Sequence, residues 1–282
     1  MATMRSVIKT VRSTLTSDGA GVKLRRSIAS SELEELDPFL LLDEFGSDNP
    51  GDYIAGFPPH PHRGFETVTY MLAGSFRHED NAGHAGTLDS GGVQWMTAGR
   101  GIIHSEMPLQ QEGRVHGFQL WVNLPSKDKM RAPRYQNIQP GEIPETSPTA
   151  GVKVKVIAGE INGVKGPVTG IVTDPVYLDV LIDPNREWRH TIPSNHTLFT
   201  YVFEGSASFG GDDAKPVERG TLAIFGDGDE IIAKAGDKGA RFITVAAVPI
   251  GEPIARYGPF VMNTSDEIRQ AIADYRSGNF GE

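Results

Sequence analysis

Two short pairs of side chains in the first half of the sequence have the composition of a metal site. His60 and His62 flank Pro61, and Glu106 follows two positions after His104. Side chains two positions apart point to the same face of a β-strand but diverge on a helix, and Pro61 excludes a helix interior. Two antiparallel strands could therefore direct three imidazoles and one carboxylate into a single site.

Three imidazoles and one carboxylate suit a divalent first-row metal, and this donor set leaves Fe, Mn, Ni, Cu and Zn open. Four protein ligands on a six-coordinate ion leave two positions at which a substrate or dioxygen can bind. The sequence contains no cysteine and 8 histidines. Any metal must therefore be bound by His, Asp or Glu, and iron–sulfur clusters, Cys-based zinc sites and thiol nucleophiles are excluded.

The elements that would position these ligands are predicted to be β-strands. The 282 residues include 33 glycines and 19 prolines, which favour tight turns and weaken helix interiors. Most apolar stretches are short and end at Gly, Pro, Asn or Asp, a pattern typical of strands. One short helix is predicted near the C-terminus, where Thr264 and Glu267 form a capping box and Gly278 ends the apolar periodicity.

An internal repeat indicates how the strands are organised. The pattern Thr-Tyr-x-x-x-Gly-Ser begins at Thr69 and again at Thr200, 131 positions later, and in both copies a hydrophobic strand leads into a Gly-Ser turn. A proline-rich stretch, residues 127–148, separates the two halves. We therefore predict an all-β fold of two tandem barrels or sandwiches, with a metal-binding domain over residues 1–139 and a second domain over residues 140–282.

The repeat also predicts that the second domain has no metal site. A shift of 131 positions places Thr191 and Pro193 at the positions of His60 and His62, and neither residue can replace an imidazole. The His-x-Glu pattern does not occur in this half of the sequence. The second domain is therefore expected to support or shield the first.

Charge and hydropathy exclude other classes of function. The formal net charge of −9 argues against nucleic-acid binding, which depends on phosphate neutralisation. No run of about 18 apolar residues could span a membrane, and the basic N-terminal segment lacks the apolar run of a signal peptide. We expect a monomer in the cytoplasm, or in the nucleus if the source is a eukaryote.

Longer sequence patterns resemble the pirin family of the cupin superfamily. The two longest are PHPHRGFETVTY at residues 59–70 and VQWMTAGRGIIHSEMP at residues 93–108. DPFLLLDEF at residues 37–45 and GPFVMNT at residues 258–264 extend the likeness over nearly the whole chain. The resemblance implies a bicupin, in which two tandem cupin (jelly-roll) domains carry one iron ion in the N-terminal cupin. It also implies that the metal ligands are His60, His62, His104 and Glu106.

A second carboxylate competes for the fourth ligand position. The spacing from His62 to Glu66 matches the carboxylate position of the general first cupin motif, and Gly101 with His104 matches the second motif. The pirin pattern instead gives the position to Glu106, which shares a strand face with His104. By this likeness Glu66 has a structural role or supports the ligands.

The resemblance also suggests the function. The pirin family includes quercetin 2,3-dioxygenases, so we expect an oxidoreductase that cleaves flavonols with dioxygen, with Fe(II) at the site and Glu106 as the base that accepts the substrate's hydroxyl proton. Zn, Mn, Ni and Cu remain alternatives to iron. The family also includes redox-sensitive transcriptional co-regulators. The alternative function is therefore a metal-binding redox sensor that modulates a protein partner without catalysis.

Overall fold

The computed structural model describes residues 2–211 and 213–281. These residues form 24 β-strands, three short 3-10 helices and one α-helix. The predicted all-β fold with one short C-terminal helix is therefore confirmed. No helix within the described ranges combines the length and the apolar character that crossing a bilayer requires.

The strands are numbered in chain order. The first twelve are β1 (Val7–Arg12), β2 (Thr14–Asp18), β3 (Val22–Ile28), β4 (Phe39–Ser47), β5 (Phe57–His62), β6 (Phe65–Ala73), β7 (Phe76–Asp80), β8 (Ala85–Leu88), β9 (Val93–Thr97), β10 (Ile102–Pro108), β11 (Val115–Asn123) and β12 (Arg134–Ile138). The others are β13 (Glu145–Thr146), β14 (Val152–Ala158), β15 (Glu160–Ile161), β16 (Val164–Lys165), β17 (Val176–Ile182), β18 (Glu187–Thr191), β19 (Thr197–Phe209), β20 (Pro216–Glu218), β21 (Thr221–Phe225), β22 (Glu230–Ala247), β23 (Ala255–Tyr257) and β24 (Phe260–Met262). The α-helix is α1 (Ser265–Ser277), and the 3-10 helices are Pro50–Asp52, Ser126–Asp128 and Pro140–Glu142.

The chain divides into two units that exchange their terminal segments. The N-terminal unit contains Leu15–Pro140 and the residues from Ile250 onward, and the C-terminal unit contains Gly141–Pro249 and the residues before Leu15. The chain passes from the N-terminal unit to the C-terminal unit after Pro140, one residue beyond the predicted boundary between residues 139 and 140. A single boundary does not describe the two terminal segments, each of which belongs to the other unit. Strand pairing is the physical reason, because β1 pairs with β21 and a bridge joins Arg63 to β24.

The N-terminal unit is a sandwich of two sheets. One sheet has the strand order β12-β9-β6-β11-β4-β3-β2, and the other has the order β5-β10-β7-β8. Side chains from both sheets form one core, in which Phe45 of β4 stacks on Phe76 of β7 with 5.5 Å between the ring centroids. The second sheet places β5 and β10, the strands that carry the predicted ligands, side by side.

The C-terminal unit has one large sheet and a small hairpin. The large sheet has the order β1-β21-β19-β22-β17-β14-β13, with β18 added to β22 and β20 added to β19, and β15 pairs with β16. Its core is apolar and includes Trp188, Phe209 and Phe242. The Phe242 ring lies 5.2 Å from Phe209 and 5.9 Å from Trp188 between centroids. Aromatic packing therefore fills the interior of this unit.

Helix α1 begins and ends where the sequence predicts. The Thr264 hydroxyl accepts a hydrogen bond from the Glu267 backbone N–H at 3.3 Å, and the Glu267 carboxylate accepts one from the Thr264 N–H at 2.8 Å. Ile268 and Ala271 are buried on one face of the helix, and Gly278 ends it in the left-handed conformation with φ 82°. The predicted capping box is confirmed.

Candidate metal centre

The register of β5 and β10 brings three of the predicted ligands together. The two strands are antiparallel neighbours, and His60 lies directly opposite His104. One ring nitrogen from each of His60, His62 and His104 lies within 4.8 Å of the others. The three imidazoles therefore form one cluster, as the two-residue spacing on a strand requires.

Burial keeps two imidazoles of this cluster, those of His62 and His104, neutral. His62 and His104 are each only 2 % exposed. Burial lowers the pKa of both side chains well below the usual histidine value, and the neighbouring imidazoles lower it further. A neutral imidazole is the form that donates a nitrogen lone pair to a metal. These two imidazoles are therefore neutral and available as metal ligands at physiological pH.

The hydrogen bonding of the cluster also fits a metal ion. Neither ring nitrogen of His104 has a hydrogen-bond partner among the described residues, and the ring of His62 lies near the Pro259 backbone without a hydrogen bond of normal geometry. Buried polar atoms without a partner are costly, and a coordinated ion would satisfy one nitrogen in each ring. The Nδ1 of His60 lies 2.8 Å from the Pro58 carbonyl oxygen. A proton on Nδ1 would be donated to that carbonyl, which leaves Nε2 as the metal-binding atom.

Glu106 lies beside the imidazoles and not within their cluster. It follows His104 on β10, but the pairing with β5 shifts register between the two residues. Its carboxylate is buried, lines the same cavity as His60 and His62, and accepts a hydrogen bond from the Thr69 hydroxyl at 2.8 Å. Burial raises the pKa of Glu106. The fourth predicted ligand is therefore held at the edge of the site by a hydrogen bond from β6, a strand of the other sheet.

Glu66, the competing carboxylate, is fully engaged elsewhere. Its Oε1 accepts a hydrogen bond from the Thr97 hydroxyl at 2.6 Å, and its Oε2 accepts one from the indole N–H of Trp95 at 3.1 Å. Both bonds join β6 to β9 across the seven-stranded sheet. Burial raises the pKa of Glu66. These contacts support a structural role for Glu66.

A cavity of about 610 Å³ opens in front of the histidines. Its apolar wall includes Phe57, Phe45 and Trp121, and its charged wall includes Arg26 and Arg256. Sequence analysis missed these residues because aromatic residues in strands are usually core residues. The alternation of side chains along β11 is the one signal in the sequence for this wall. It places Trp121 on the opposite face of the strand from its fully buried neighbours Leu120 and Val122.

The C-terminal segment holds both ligand-bearing stretches in place. The buried Arg63 follows His62, and its Nη1 donates a hydrogen bond to Asp274 of α1 at 2.6 Å. Its Nε donates to the Arg100 carbonyl at 2.5 Å, in the turn that precedes β10, and its guanidinium lies 4.6 Å from the Phe280 ring centroid. Sequence analysis did not identify this role, because the contacts join residues far apart in the chain.

Among the described residues of the C-terminal unit there is no comparable cluster. Thr191 and Pro193, which the repeat aligns with the first two ligands, are both exposed. The buried His196 has its Nε2 3.7 Å from Asp174, and burial lowers the pKa of His190 to about 4. Within the described residues, the one group of three potential ligands with closely spaced donor atoms is the one in the N-terminal unit.

Comparisons with known proteins cover nearly the whole chain. Residues 21–122 match the family model described as Pirin, and residues 177–281 match the model described as Pirin C-terminal cupin domain. The chain is 49% identical over 268 residues to a protein of Pseudomonas aeruginosa that is provisionally named quercetin 2,3-dioxygenase, with 93% of each chain covered. It is 46% identical over 284 residues to human pirin, with 100% of this chain and 96% of the relative covered.

A solved structure shows the same architecture. The crystal structure of quercetin 2,3-dioxygenase from Acinetobacter baumannii matches with a TM-score of 0.91 and 34% sequence identity, and 99% of each chain is covered. Together with the family models, this similarity confirms the predicted fold of two cupin domains.

Proposed function

This chain belongs to the pirin family, and we propose that its N-terminal unit is a mononuclear metal centre that oxidises flavonol-like aromatic substrates with dioxygen. The observation that carries the proposal is the cluster of three imidazoles, two of which, His60 and His62, line a cavity of about 610 Å³. Cavities of roughly 300–1,000 Å³ accommodate small organic ligands.

The proposed ligands are His60, His62 and His104, with Glu106 in the fourth position. A bound divalent ion, Fe(II) first and Mn, Ni, Cu or Zn as alternatives, would supply Lewis-acid chemistry to a substrate hydroxyl, and each of these metals except Zn would also supply redox chemistry to dioxygen. The protein itself contributes a rigid and largely dry wall, because the two most buried imidazoles are fixed in adjacent strands.

Glu106 is the proposed proton acceptor. The pKa of Glu106 is raised toward physiological pH, and a carboxylate with a higher pKa is a stronger base. The Thr69 hydroxyl holds Oε1 at 2.8 Å, so Oε2 is the oxygen that would receive the proton of a substrate hydroxyl. The same hydroxyl lies 2.6 Å from the Gln119 side-chain oxygen and has one proton to donate. Proton uptake by Glu106 would therefore be accompanied by a change in this small network.

The apolar walls orient a planar ligand. Trp121 and Phe57 line the cavity, and the Trp121 ring lies 5.2 Å from the His62 ring between centroids. A flat aromatic substrate can lie against these rings with its hydroxyl group at the histidines, because offset and edge contacts between aromatic rings are favourable.

The test combines metal analysis with dioxygen uptake. Protein loaded with Fe(II) is mixed with quercetin, and dioxygen consumption is followed with an electrode. Wild-type protein should consume dioxygen, and Glu106→Gln should retain the metal but consume dioxygen at least tenfold more slowly. Full metal occupancy without dioxygen uptake in the wild type, with Fe(II) and also with Mn, Ni and Cu in its place, would contradict the proposal and favour the redox-sensor alternative.

A further inference from the structure

Two arginines line the cavity in contrasting environments. Arg26 donates to both carboxylate oxygens of Asp43, at 2.8 and 2.7 Å, and to Asp18 at 2.7 Å. These three charge-assisted hydrogen bonds compensate its positive charge and fix its fork geometry. Arg26 therefore forms a structural ion pair with Asp43 in the wall of the cavity.

Arg256 is held differently. Its Nη1 donates to the Leu40 carbonyl at 3.1 Å, and its guanidinium carbon lies 4.9 Å from the Trp121 ring centroid. Within the described chain, no carboxylate lies within ion-pair distance of this guanidinium. The backbone bond and the aromatic ring position the group, and most of its N–H donors remain available to a ligand.

Carboxylates act on the charge of Arg256 from a distance and not through direct ion pairs. Partial burial lowers the pKa of its guanidinium, and the positive charge of Arg26 lowers it further, although Asp43, Asp18 and Glu35 act in the opposite direction. The group remains protonated at any physiological pH. The cavity wall therefore presents a guanidinium with no carboxylate in contact, whose N–H donors can bind an anionic ligand.

Arg256 is within reach of a ligand bound at the histidines. Trp121 lies between them, since its ring contacts the Arg256 guanidinium on one side and lies 5.2 Å from the His62 ring on another. A planar ligand of flavonol size that follows the cavity can place one end at the imidazoles and an acidic substituent at the guanidinium.

We propose that Arg256 is a specificity residue, which selects aromatic substrates that carry an oxyanion, a carboxylate or an ionised phenol, at the end remote from the metal. This inference rests on the proposed function, because it assumes that the substrate binds in the cavity next to the histidines. It narrows the substrate class from flavonols in general to acidic planar aromatics.

The test compares two ligands that differ in one charge. Protein loaded with Zn(II), which does not turn over the ligand by redox chemistry, is titrated with 3-hydroxyflavone-4′-carboxylate and with its methyl ester. Dissociation constants are measured by quenching of tryptophan fluorescence and by calorimetry. The carboxylate should bind about tenfold more tightly than the ester, since hydrogen bonds to charged groups are the stronger ones.

Variants of Arg256 test whether this side chain causes the preference for the carboxylate over the ester. Arg256→Gln should bind both ligands equally, and Arg256→Lys should keep part of the preference. Arg77→Gln is the matched control, because Arg77 is an exposed arginine paired with Glu79 on β7, and it should behave as the wild type. A carboxylate preference that persists in Arg256→Gln, or no preference in the folded wild type, would overturn the inference.

Dioxygen uptake, measured on Fe(II)-loaded samples with the same two ligands, separates this inference from the proposed function. A carboxylate preference in binding without dioxygen uptake would support the role of Arg256 and contradict the dioxygenase. Dioxygen uptake that is equal for both ligands, together with equal binding, would support the dioxygenase and contradict the role of Arg256.

Discussion

The two units of this chain contain the same strand-and-turn motif but use their interiors differently. In the N-terminal unit, β5 pairs with β10 and directs imidazoles toward a cavity. In the C-terminal unit, β18 pairs with β22 in the same antiparallel manner, and its buried side chain is Trp188, packed against Phe242. The shared scaffold therefore does not determine the chemistry, which depends on the few side chains that each strand pair presents.

The difference also shows what a metal site requires beyond its ligands. The N-terminal unit surrounds its histidines with fixed supports: Thr69 on Glu106, and Arg63 between β5, the turn before β10 and α1. The C-terminal unit has buried histidines as well, but His190 and His196 lack a third ligand nearby within the described residues. The predictions below test whether ligand identity or this support separates the two units.

The largest expected effect is loss of metal when one buried imidazole of the N-terminal unit is removed. In His62→Ala, metal content after purification without added metal should fall below about a tenth of the wild-type value, because even changes to residues behind the ligands weaken metal affinity 10–100-fold. His196→Ala removes a buried imidazole from the C-terminal unit and should retain the full content. Equal metal content in the two variants would contradict the assignment of the metal site to the N-terminal unit.

A smaller effect is expected from the support that α1 provides. Asp274→Asn leaves the buried Arg63 without its charged partner, so the free energy of unfolding should fall by about 2 kcal/mol, less than for a fully buried pair. Metal affinity should fall about tenfold, because the strand that ends at His62 loses one anchor. Thermal unfolding and metal titration of the variant measure the two effects.

Asp266→Asn is the control for this prediction. Asp266 lies in the first turn of the same helix and pairs with Arg269, but both side chains are exposed. Its replacement should change stability by less than about 0.5 kcal/mol and leave metal affinity unchanged. If Asp274→Asn behaves in the same way, α1 has no role in holding the site.

The clustering of His60, His62 and His104 could be predicted from the sequence, and the contacts that support these residues could not. His-x-His and His-x-Glu spacing is informative because it depends only on the alternation of side chains along one strand. The capping box of α1 is also local, with Thr264 and Glu267 one turn apart. Arg63 and Asp274 are separated by 211 positions, and their pairing arises from tertiary packing that no local pattern records. The exchange of the terminal segments could not be predicted for the same reason, because β1 and β21 pair although most of the chain separates them in sequence.

Acidification should weaken the C-terminal unit through His190. Burial lowers the pKa of this side chain to about 4, against about 6.5 in an unfolded chain. Between these values the unfolded state binds the proton and the folded state does not, so stability is complete above about pH 6.5 and is lost as the pH falls toward 4. We expect a loss of about 3 kcal/mol over this range.

Hydrogen-exchange mass spectrometry can follow the two units separately. Peptides from β18 and β22 should lose protection between pH 7 and pH 4, after correction for intrinsic exchange rates. In His190→Gln this pH dependence should decrease, while the His196 contribution, which has the same sign, remains. A pH dependence that is unchanged in His190→Gln would show that His190 is already protonated in the folded state.

The smallest expected effect is the most direct test of the comparison: histidines grafted into the C-terminal unit should bind no second metal ion. The double variant Thr191→His, Pro193→His restores the first His-x-His pair at the repeat-aligned positions. Strand β18 ends at Thr191 and both positions are exposed, so the second imidazole would lie beyond the strand and not on its buried face. The position aligned with His104 is Ala235, which is 3% exposed in an apolar core.

Metal analysis should therefore give one ion per chain in the double variant, as in the wild type. A triple variant with Ala235→His supplies the third imidazole, but it inserts a large polar ring into a packed core at a cost of about 1–3 kcal/mol or more. It should lower the stability of the C-terminal unit and still leave the metal content at one ion. Two ions per chain in either variant would mean that ligand type alone separates the units, and that the supports around Arg63 and Thr69 are dispensable for metal binding.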